Sequence, residues 1–297
     1  MREFIAADKF FFASHVEDKG YLELVDGKFG QYYKTLPDEK VNIIDQSGKW
    51  IAPGLVDTHI HGFKNHDVMD NDAQGINEIS EGLLSCGVTS FLPTTLTSNR
   101  KHLKDVAKML GEVKGTETGA KIQGIYFEGP FFTEEHKGAQ NPSYFSDPDI
   151  DTFHEWQEAS GGIIKKIALA PERGGVEAFV KQVSDEDVVV SLGHSSATFQ
   201  QASSAVEAGA NVFVHAYNGM SGLNHREPGM VGALLTLNDV YAELICDGYH
   251  VHPKAAELVI QKIGYNRVSL ITDCMMAGGM PDGDYILGEF PVVVKDG

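Results

Sequence analysis

The sequence Pro53-Gly54-Leu55-Val56-Asp57-Thr58-His59-Ile60-His61 marks the point where the fold changes, and it ends a short apolar run on two histidines. Residues two positions apart in an extended strand project from the same face, so His59 and His61 are predicted to lie side by side. Two neutral imidazoles so placed can share one divalent ion, for which Zn²⁺ is the usual candidate. Because a lone His-x-His pair also occurs by chance, its meaning depends on the rest of the chain.

The residues before this stretch predict a small β unit. Short β segments at residues 21–25 and 28–33 flank Asp26-Gly27, a dipeptide that favours a hairpin turn. Residues 45–49 are predicted to form the exit from the unit. We therefore expect a small β domain over residues 1–50, the N-terminal part of a β-sandwich.

After residue 50, apolar runs alternate with helical stretches. The runs are residues 50–56, 88–92, 122–127, 163–169, 188–192, 212–214, 240–245 and 268–271, with helices predicted over 76–85, 102–113, 176–183, 202–208 and 254–263. Near-continuous apolar strands are typical of a parallel sheet buried on both faces. Eight βα units favour a TIM-like (β/α)8 barrel over residues 51–275, although periodicity alone also allows an open doubly wound sheet.

The composition indicates a globular protein without nucleic-acid or membrane partners. The chain has 297 residues, with 24 basic and 42 acidic side chains and a formal net charge of -18, which repels nucleic acid and anionic membranes. No apolar run approaches the roughly 20 residues of a membrane span, and charges interrupt the N-terminus before a signal-peptide core develops. The three cysteines are widely spaced and favour a reducing compartment, so we expect a cytoplasmic protein.

Residues that bind metals or transfer protons stand at most of the predicted strand ends. They are His59 and His61, Glu128, His194, His215, Asp247 and His250, and Asp273. The carboxyl ends of all strands in a barrel meet at one rim, so these side chains are expected to share a pocket. A carboxylate beyond an apolar strand, such as Glu128, needs a cation as partner if it is buried. Asp273 is suited to take a proton from metal-bound water and return it to a leaving group. Each residue alone has an ordinary alternative: a core histidine, a loop acid or a helix N-cap.

Arg226 offers a planar donor fork that suits an anion such as phosphate. On a chain of net charge -18, an anionic substrate needs such a local positive charge. The alternative is a surface arginine that pairs with Glu227.

Seven motifs together resemble the N-acetylglucosamine-6-phosphate deacetylases of the amidohydrolase superfamily. They are Pro-Gly-Leu-Val-Asp-Thr-His-Ile-His-Gly at 53–62, Phe-Glu-Gly-Pro at 127–130, Gly-His-Ser at 193–195, His-Ala-Tyr-Asn at 215–218, Arg-Glu-Pro-Gly at 226–229, Asp-Gly-Tyr-His-Val at 247–251 and Thr-Asp at 272–273. The resemblance spans essentially the whole chain. The Arg-Glu-Pro-Gly and Asp-Gly-x-His segments separate it from amidohydrolases in general.

The resemblance implies a role for each site residue. The main metal would be held by Glu128, His194 and His215, and a second by His59 and His61 with Glu128 as the bridge. Asp273 would be the general base and then the acid, and His250 would polarise the acetyl carbonyl. Substrate contacts are implied for Ala139, Gln140, Asn218, Gly219, Arg226 and His250. Gln140 departs from the family pattern, because many relatives carry histidine there.

The implied reaction is hydrolysis of N-acetyl-D-glucosamine 6-phosphate to D-glucosamine 6-phosphate and acetate. It implies one or two divalent ions per subunit, zinc first and iron, cobalt or manganese as further options, and a homodimer. The alternatives are another amidohydrolase of the dihydroorotase or deaminase kind, a truncated barrel that binds metal without catalysis, and an unrelated barrel with structural histidines.

The last segment, residues 276–297, is predicted to return as strands to the β domain. Relatives continue well beyond this point. We therefore expect that a polypeptide ending at residue 297 is impaired in stability and activity.

Overall fold

A computed structural model describes residues 2–37 and 40–296, and the chain divides into two units, Met1–Leu55 and Val56–Gly297. Met1 and Gly297, the outermost residues of the two predicted terminal segments, lie outside the described residues.

The first unit contains one four-stranded sheet in the order β3-β2-β1-β4. Its strands are β1 Glu3–Phe11, β2 Val16–Val25, β3 Lys28–Tyr33 and β4 Asn42–Ile51. The predicted hairpin between β2 and β3 is confirmed. Asp26 and Gly27 have φ of 51° and 74°, the left-handed backbone that a type I′ turn requires at both central positions.

The predicted exit at residues 45–49 is wrong, because these residues lie inside β4. The N–H and hydroxyl of Ser47 both donate to Asp45 Oδ1, and Gly48 has a φ of 83°. The register with β1 shifts between Ala7 and Lys9, opposite this segment. The turn-forming residues are therefore accommodated as an irregularity within a continuous strand.

The second unit contains the remaining strands and all helices of the described residues. The strands are β5 Leu55–Ile60, β6 Gly62–Phe63, β7 His66–Asp67, β8 Val88–Thr95, β9 Lys121–Ile122, β10 Ile125–Phe131, β11 Ile164–Leu169, β12 Val189–Leu192, β13 Val212–Phe213, β14 Tyr241–Ile245, β15 Val268–Ile271, β16 Gly283–Leu287 and β17 Phe290–Val294. The α-helices are α1 Ala73–Leu84, α2 Arg100–Val113, α3 Ile150–Ala159, α4 Val176–Asp185, α5 Phe199–Ala208, α6 Gly229–Thr236 and α7 Pro253–Ile263, with 3₁₀ turns at Val68–Asp70, Pro142–Tyr144 and Tyr265–Arg267.

Eight of these strands form the predicted barrel, in the order β5-β8-β10-β11-β12-β13-β14-β15. The two ends of the sheet meet where Ile60 bridges Cys274 in parallel and the Asp273 N–H donates to the His59 carbonyl at 2.9 Å. The sheet is thus nearly closed, which confirms the barrel and excludes the open doubly wound sheet.

Two predicted strand boundaries are wrong in a way that matters for the site. Trp50 and Ile51 end β4, and the barrel strand begins only at Leu55, because Pro53-Gly54 interrupts the apolar run and proline has no N–H for a ladder. Likewise β10 runs from Ile125 to Phe131, so Glu128 lies within the strand rather than after it.

The barrel strands are covered by helices that bury aromatic side chains. Trp156 of α3 stacks on Phe127 and Phe131 of β10, with ring centroids 5.1 and 6.0 Å apart. Every residue of β10 is buried, as expected for a parallel strand covered on both faces. Helix α6 was not singled out from the sequence, because it is apolar almost throughout and has no amphipathic period.

Strands β16 and β17 form an antiparallel hairpin in the second unit. The predicted return of residues 276–297 to the β domain stays a prediction. None of the described helices is long and apolar enough to cross a membrane.

Candidate active site

A cavity of about 800 Å³ in the second unit is lined by most of the predicted site residues. Those on its wall are His61, Glu128, Ala139, Gln140, His194, His215, Asn218, Gly219, His250 and Asp273. Three predicted residues are not on the wall. His59 is fully buried behind it, Asp247 contacts His250 from outside the lining, and Arg226 is exposed. The barrel rim therefore brings together the predicted side chains except Arg226.

Glu128 lies at the centre of the four candidate histidines. Its Oε1 is 3.2 Å from His59 Nε2 and 3.3 Å from both His194 Nε2 and His215 Nε2. Its Oε2 is 3.3 Å from His61 Nε2. The carboxylate thus belongs to two groups of three candidate ligands, and within each group the ligand atoms lie within 4.8 Å of one another.

Each of the four histidines has its Nδ1 next to an oxygen that can only accept a hydrogen bond. The pairs are His59 with Glu243 Oε2 (3.1 Å), His61 with the Thr94 carbonyl (3.1 Å), His194 with the His136 carbonyl (2.9 Å) and His215 with the Asn218 carbonyl (3.0 Å). These contacts place the proton on Nδ1 and leave the lone pair on Nε2, as in histidines that bind metals.

The Nε2 atoms then face one another without a donor between them. His59 Nε2 is 3.2 Å from His61 Nε2, and His194 Nε2 is 3.1 Å from His215 Nε2. Lone pairs at this distance repel unless a proton or a cation lies between them. Imidazole nitrogens around a shared carboxylate form a donor set that suits Zn²⁺ and other divalent first-row ions. The residues present therefore fit a divalent metal.

The electrostatics of the site also favour added positive charge, which in the metal-free protein is a second proton on Nε2. Burial lowers the pKa of His61, but hydrogen bonds to Asp273 and Glu128 outweigh it and raise that pKa to about 9. The pKa of His59 is raised well above its usual value against burial, mainly by the charges of Asp273 and Glu128. Burial opposes ionisation of Glu128, yet the charges of His59 and His194 keep its pKa well below its ordinary value.

Asp273 lies between the histidines and the cavity. Its Oδ1 is 3.2 Å from both His59 Nε2 and His61 Nε2, and a quarter of its side chain is exposed. Burial opposes its ionisation, but the charge of His59 and the hydrogen bond to His61 lower its pKa to about 2. Asp273 is therefore a carboxylate at neutral pH, able to accept a proton.

The backbone turns sharply at three of these side chains. His194, His215 and Asp273 have φ of 46°, 28° and 51°, a left-handed region uncommon for residues other than glycine. Such conformations cost about 1–3 kcal/mol each and are found where a site needs them. Gly219 has a φ of 59°, and a Cβ there would lie 3.2 Å from His194 Nδ1 and 3.4 Å from a carbon of His215.

The remaining predicted residues differ in how they meet the cavity. The Nδ1–H of His250 donates to Asp247 Oδ2 at 2.6 Å, which orients a half-exposed ring on the wall. Gln140 is buried, and its amide nitrogen lies 2.5 Å from Glu128 Oε2 while its oxygen accepts the Thr97 N–H at 2.8 Å. Gln140 thus contacts the central carboxylate as well as the cavity.

Arg226 is not brought to the cavity wall, and its expected surface pairing is also absent. Glu227 instead accepts the backbone N–H groups of Phe199 and Gly229. Lys295, which follows β17, is the one lysine or arginine among the described residues that line the cavity. No motif in the sequence pointed to Lys295.

Glu243 and Lys166, which no sequence motif indicated, are buried beneath the histidines. Burial opposes ionisation of Glu243, but the charges of Lys166 and His59 lower its pKa to about 2. Both residues lie within apolar barrel strands, β14 and β11. Charged residues inside such strands, Glu243 in β14 and Lys165-Lys166 in β11, are the signal that would have identified them.

Comparison with known proteins agrees with this geometry. Residues 50–282 match the amidohydrolase family. The chain is 39% identical over 287 residues to the N-acetylglucosamine-6-phosphate deacetylase of Vibrio furnissii, covering 95% of this chain and 69% of that protein. It is 40% identical over 271 residues to the N-acetylgalactosamine-6-phosphate deacetylase of Escherichia coli O157:H7, covering 91% and 71%.

Among solved structures, the chain resembles a point mutant of the N-acetyl-D-glucosamine-6-phosphate deacetylase from Mycobacterium smegmatis in complex with N-acetyl-D-glucosamine-6-phosphate. The TM-score is 0.92 at 30% identity, and the similarity covers 100% of this chain and 77% of that one.

Proposed function

The chain belongs to the amidohydrolase family and, within it, to the N-acetylglucosamine-6-phosphate deacetylases, and from this membership we propose that it hydrolyses N-acetyl-D-glucosamine 6-phosphate to D-glucosamine 6-phosphate and acetate. The observation that carries the proposal is the carboxylate of Glu128 between two histidine pairs, with Asp273 beside it on the cavity wall.

We propose that the two groups of ligands hold divalent ions, with zinc as the first candidate. Glu128, His194 and His215 would hold the main ion, and His59 and His61 with Glu128 would hold the second. A divalent ion bound there supplies Lewis-acid activation of water and of the acetyl carbonyl.

Asp273 is proposed to be the general base and then the general acid. Its carboxylate lies where it can take a proton from the attacking water and later give it to the amine that leaves the acetyl carbon. His250 is proposed to donate a hydrogen bond to the acetyl oxygen, where negative charge develops. Asp247 beside Nδ1 supports this role, because this contact fixes the orientation of the ring.

Ala139, Gln140, Asn218 and Gly219 are proposed to contact the sugar from the cavity wall. For the phosphate, Lys295 is the candidate that the cavity itself offers. Arg226 stays a proposal, since its exposed side chain lies outside the lining residues.

Acetate release from the purified protein tests the proposal. We expect turnover of N-acetylglucosamine 6-phosphate, and slower turnover of the unphosphorylated sugar. Asp273→Asn should abolish acetate release while the bound metal is retained, whereas Asp239→Asn, the same change at an exposed acid, should leave both unchanged. Bound metal without any acetate would instead support a non-catalytic barrel.

A further inference from the structure

A buried ion pair lies behind the candidate metal ligands, inside the barrel. Lys166 and Glu243 are 5% and 1% exposed. The Lys166 Nζ donates to Glu243 Oε1, and Glu243 Oε2 lies 3.1 Å from His59 Nδ1. A chain of contacts therefore runs from lysine to glutamate to the ring that faces Glu128.

Two further side chains, Thr58 and Tyr126, contact the ion pair. Thr58 donates to Glu243 Oε1 at 3.4 Å, and Lys166 Nζ lies 3.8 Å from the centroid of the Tyr126 ring. The same Tyr126 ring packs edge-on against His59 with centroids 4.8 Å apart. The pair and the tyrosine thus hold the His59 ring by a hydrogen bond and by a packing contact.

Stability alone does not explain an ion pair at this position. Desolvation of two buried charges costs several kcal/mol, and apolar side chains of similar volume often stabilise a core at least as well. A reason for the ion pair must therefore come from its contacts. Glu243 contacts the ring of His59, whose Nε2 is a candidate metal ligand.

His59 also differs from the other three histidines in its partner. Those histidines donate Nδ1–H to backbone carbonyls, whereas His59 donates to a carboxylate. A carboxylate is the stronger acceptor, so it holds the tautomer more firmly and makes Nε2 a better ligand. Lys166 neutralises Glu243, which prevents an unpaired charge at the centre of the barrel.

We propose that Lys166 and Glu243 are positioning residues that hold His59 with its lone pair on Nε2, and that they thereby set the affinity of the His59/His61/Glu128 site for a divalent ion. The inference rests on the proposed metal sites. It concerns the second site and leaves the Glu128/His194/His215 site unaffected.

Metal titration of the 297-residue protein tests this proposal. Metal-free protein is titrated with Zn²⁺ in a calorimeter and with Co²⁺ in a spectrophotometer, where each ion gives its own absorption. We expect two ions in the wild type, and a second ion bound about 10–100-fold more weakly in Glu243→Leu. The Co²⁺ absorption of the second equivalent should weaken in parallel, while the first stays unchanged. His59→Asn provides the reference for a lost second site.

Graded variants separate positioning from simple damage to the core. Glu243→Gln keeps an oxygen that can accept the Nδ1–H, so its second-site affinity should lie between wild type and Glu243→Leu. Lys166→Met/Glu243→Leu removes both charges together, and it should fold and bind the second ion as weakly as Glu243→Leu. Ser80→Ala, a buried polar change whose hydrogen bonds go to the Ala120 carbonyl and the Gly119 N–H, is the control and should bind two ions as wild type does.

Two ions bound with wild-type affinity in Glu243→Leu or in the double variant would overturn the proposal. A wild type that binds one ion, unaffected by His59→Asn, would overturn it as well, and acetate release by that protein would leave the proposed function standing. Weakened second-site binding in a protein that releases no acetate would support the positioning role and contradict the deacetylase function.

Discussion

Asp57 ties the first barrel strand to the last, and its replacement by alanine tests how the barrel closes. The side chain is 3% exposed. Its Oδ2 accepts the Thr272 hydroxyl at 2.5 Å, and its Oδ1 accepts the His59 N–H at 3.1 Å and the Thr272 N–H at 3.4 Å. Asp57→Ala therefore removes the acceptor of three donors, two of which belong to Thr272 across the seam.

The size of the effect follows from these contacts. Hydrogen bonds to a charged acceptor contribute about 1.5–3 kcal/mol each, and the bond at 3.4 Å adds little. Burial raises the pKa of Asp57 despite its hydrogen bonds, which shows a residual cost of desolvation and favours the lower figure. Two bonds at about 1.5 kcal/mol give a loss of about 3 kcal/mol.

That loss converts to a melting temperature through the entropy of unfolding. About 2.1 cal/mol/K per residue gives roughly 0.6 kcal/mol/K for 297 residues, so Tm should fall by about 5 °C. Melting is followed by circular dichroism on metal-free protein, so that altered metal affinity does not contribute. Asp57→Asn keeps an oxygen for the backbone donors, and its Tm should fall by less than about 2 °C. A Tm for Asp57→Ala within 1 °C of wild type, or equal losses in both variants, would refute the reasoning.

Three further predictions follow from the site. The raised pKa of His61, about 9 against about 6.5 unfolded, stabilises the metal-free fold below pH 6.5 and is lost as pH rises to 9, so Tm in EDTA should fall across that window. The increase in Tm caused by Zn²⁺ should grow over the same pH range, because the histidine ligands must lose their protons before they bind the ion. A Tm in EDTA that does not change with pH would contradict the ion pairs of His61 with Asp273 and Glu128. Gly219→Ala places a Cβ 3.2 Å from His194 Nδ1 at a φ of 59°, so the main metal should bind at least 10-fold more weakly, measured by calorimetry. The control Gly222→Ala has open space around the added Cβ, so its metal affinity should equal that of wild type. Lys295→Ala should raise KM for the phosphorylated sugar about 10-fold and leave KM for the unphosphorylated sugar unchanged in an acetate assay; equal changes for both would exclude a phosphate contact.

The barrel and the set of residues that form the site were predictable, because both depend on local sequence pattern and on topology. Apolar runs identify parallel strands, and the closed barrel places the ends of distant strands on one rim. His194, His215 and Asp273 therefore met near Glu128 without any knowledge of loop conformation.

The contacts that orient these residues were not predictable in the same way. Glu243 reaches His59 because β14 and β5 project the two side chains into the same layer of the barrel interior, a matter of register and tilt. Gln140 meets Glu128 through a long loop that contains no periodic signal. Arg226 was assigned from a motif, and the conformation of its loop leaves it off the cavity wall.

The most direct test is to restore metal to chelated protein while acetate release from N-acetyl-D-glucosamine 6-phosphate is measured. The chelated protein should release no acetate, and activity should rise with bound Zn²⁺ until the site of Glu128, His194 and His215 is filled. Equal acetate release before and after metal is restored, with bound metal measured by elemental analysis, would contradict the account.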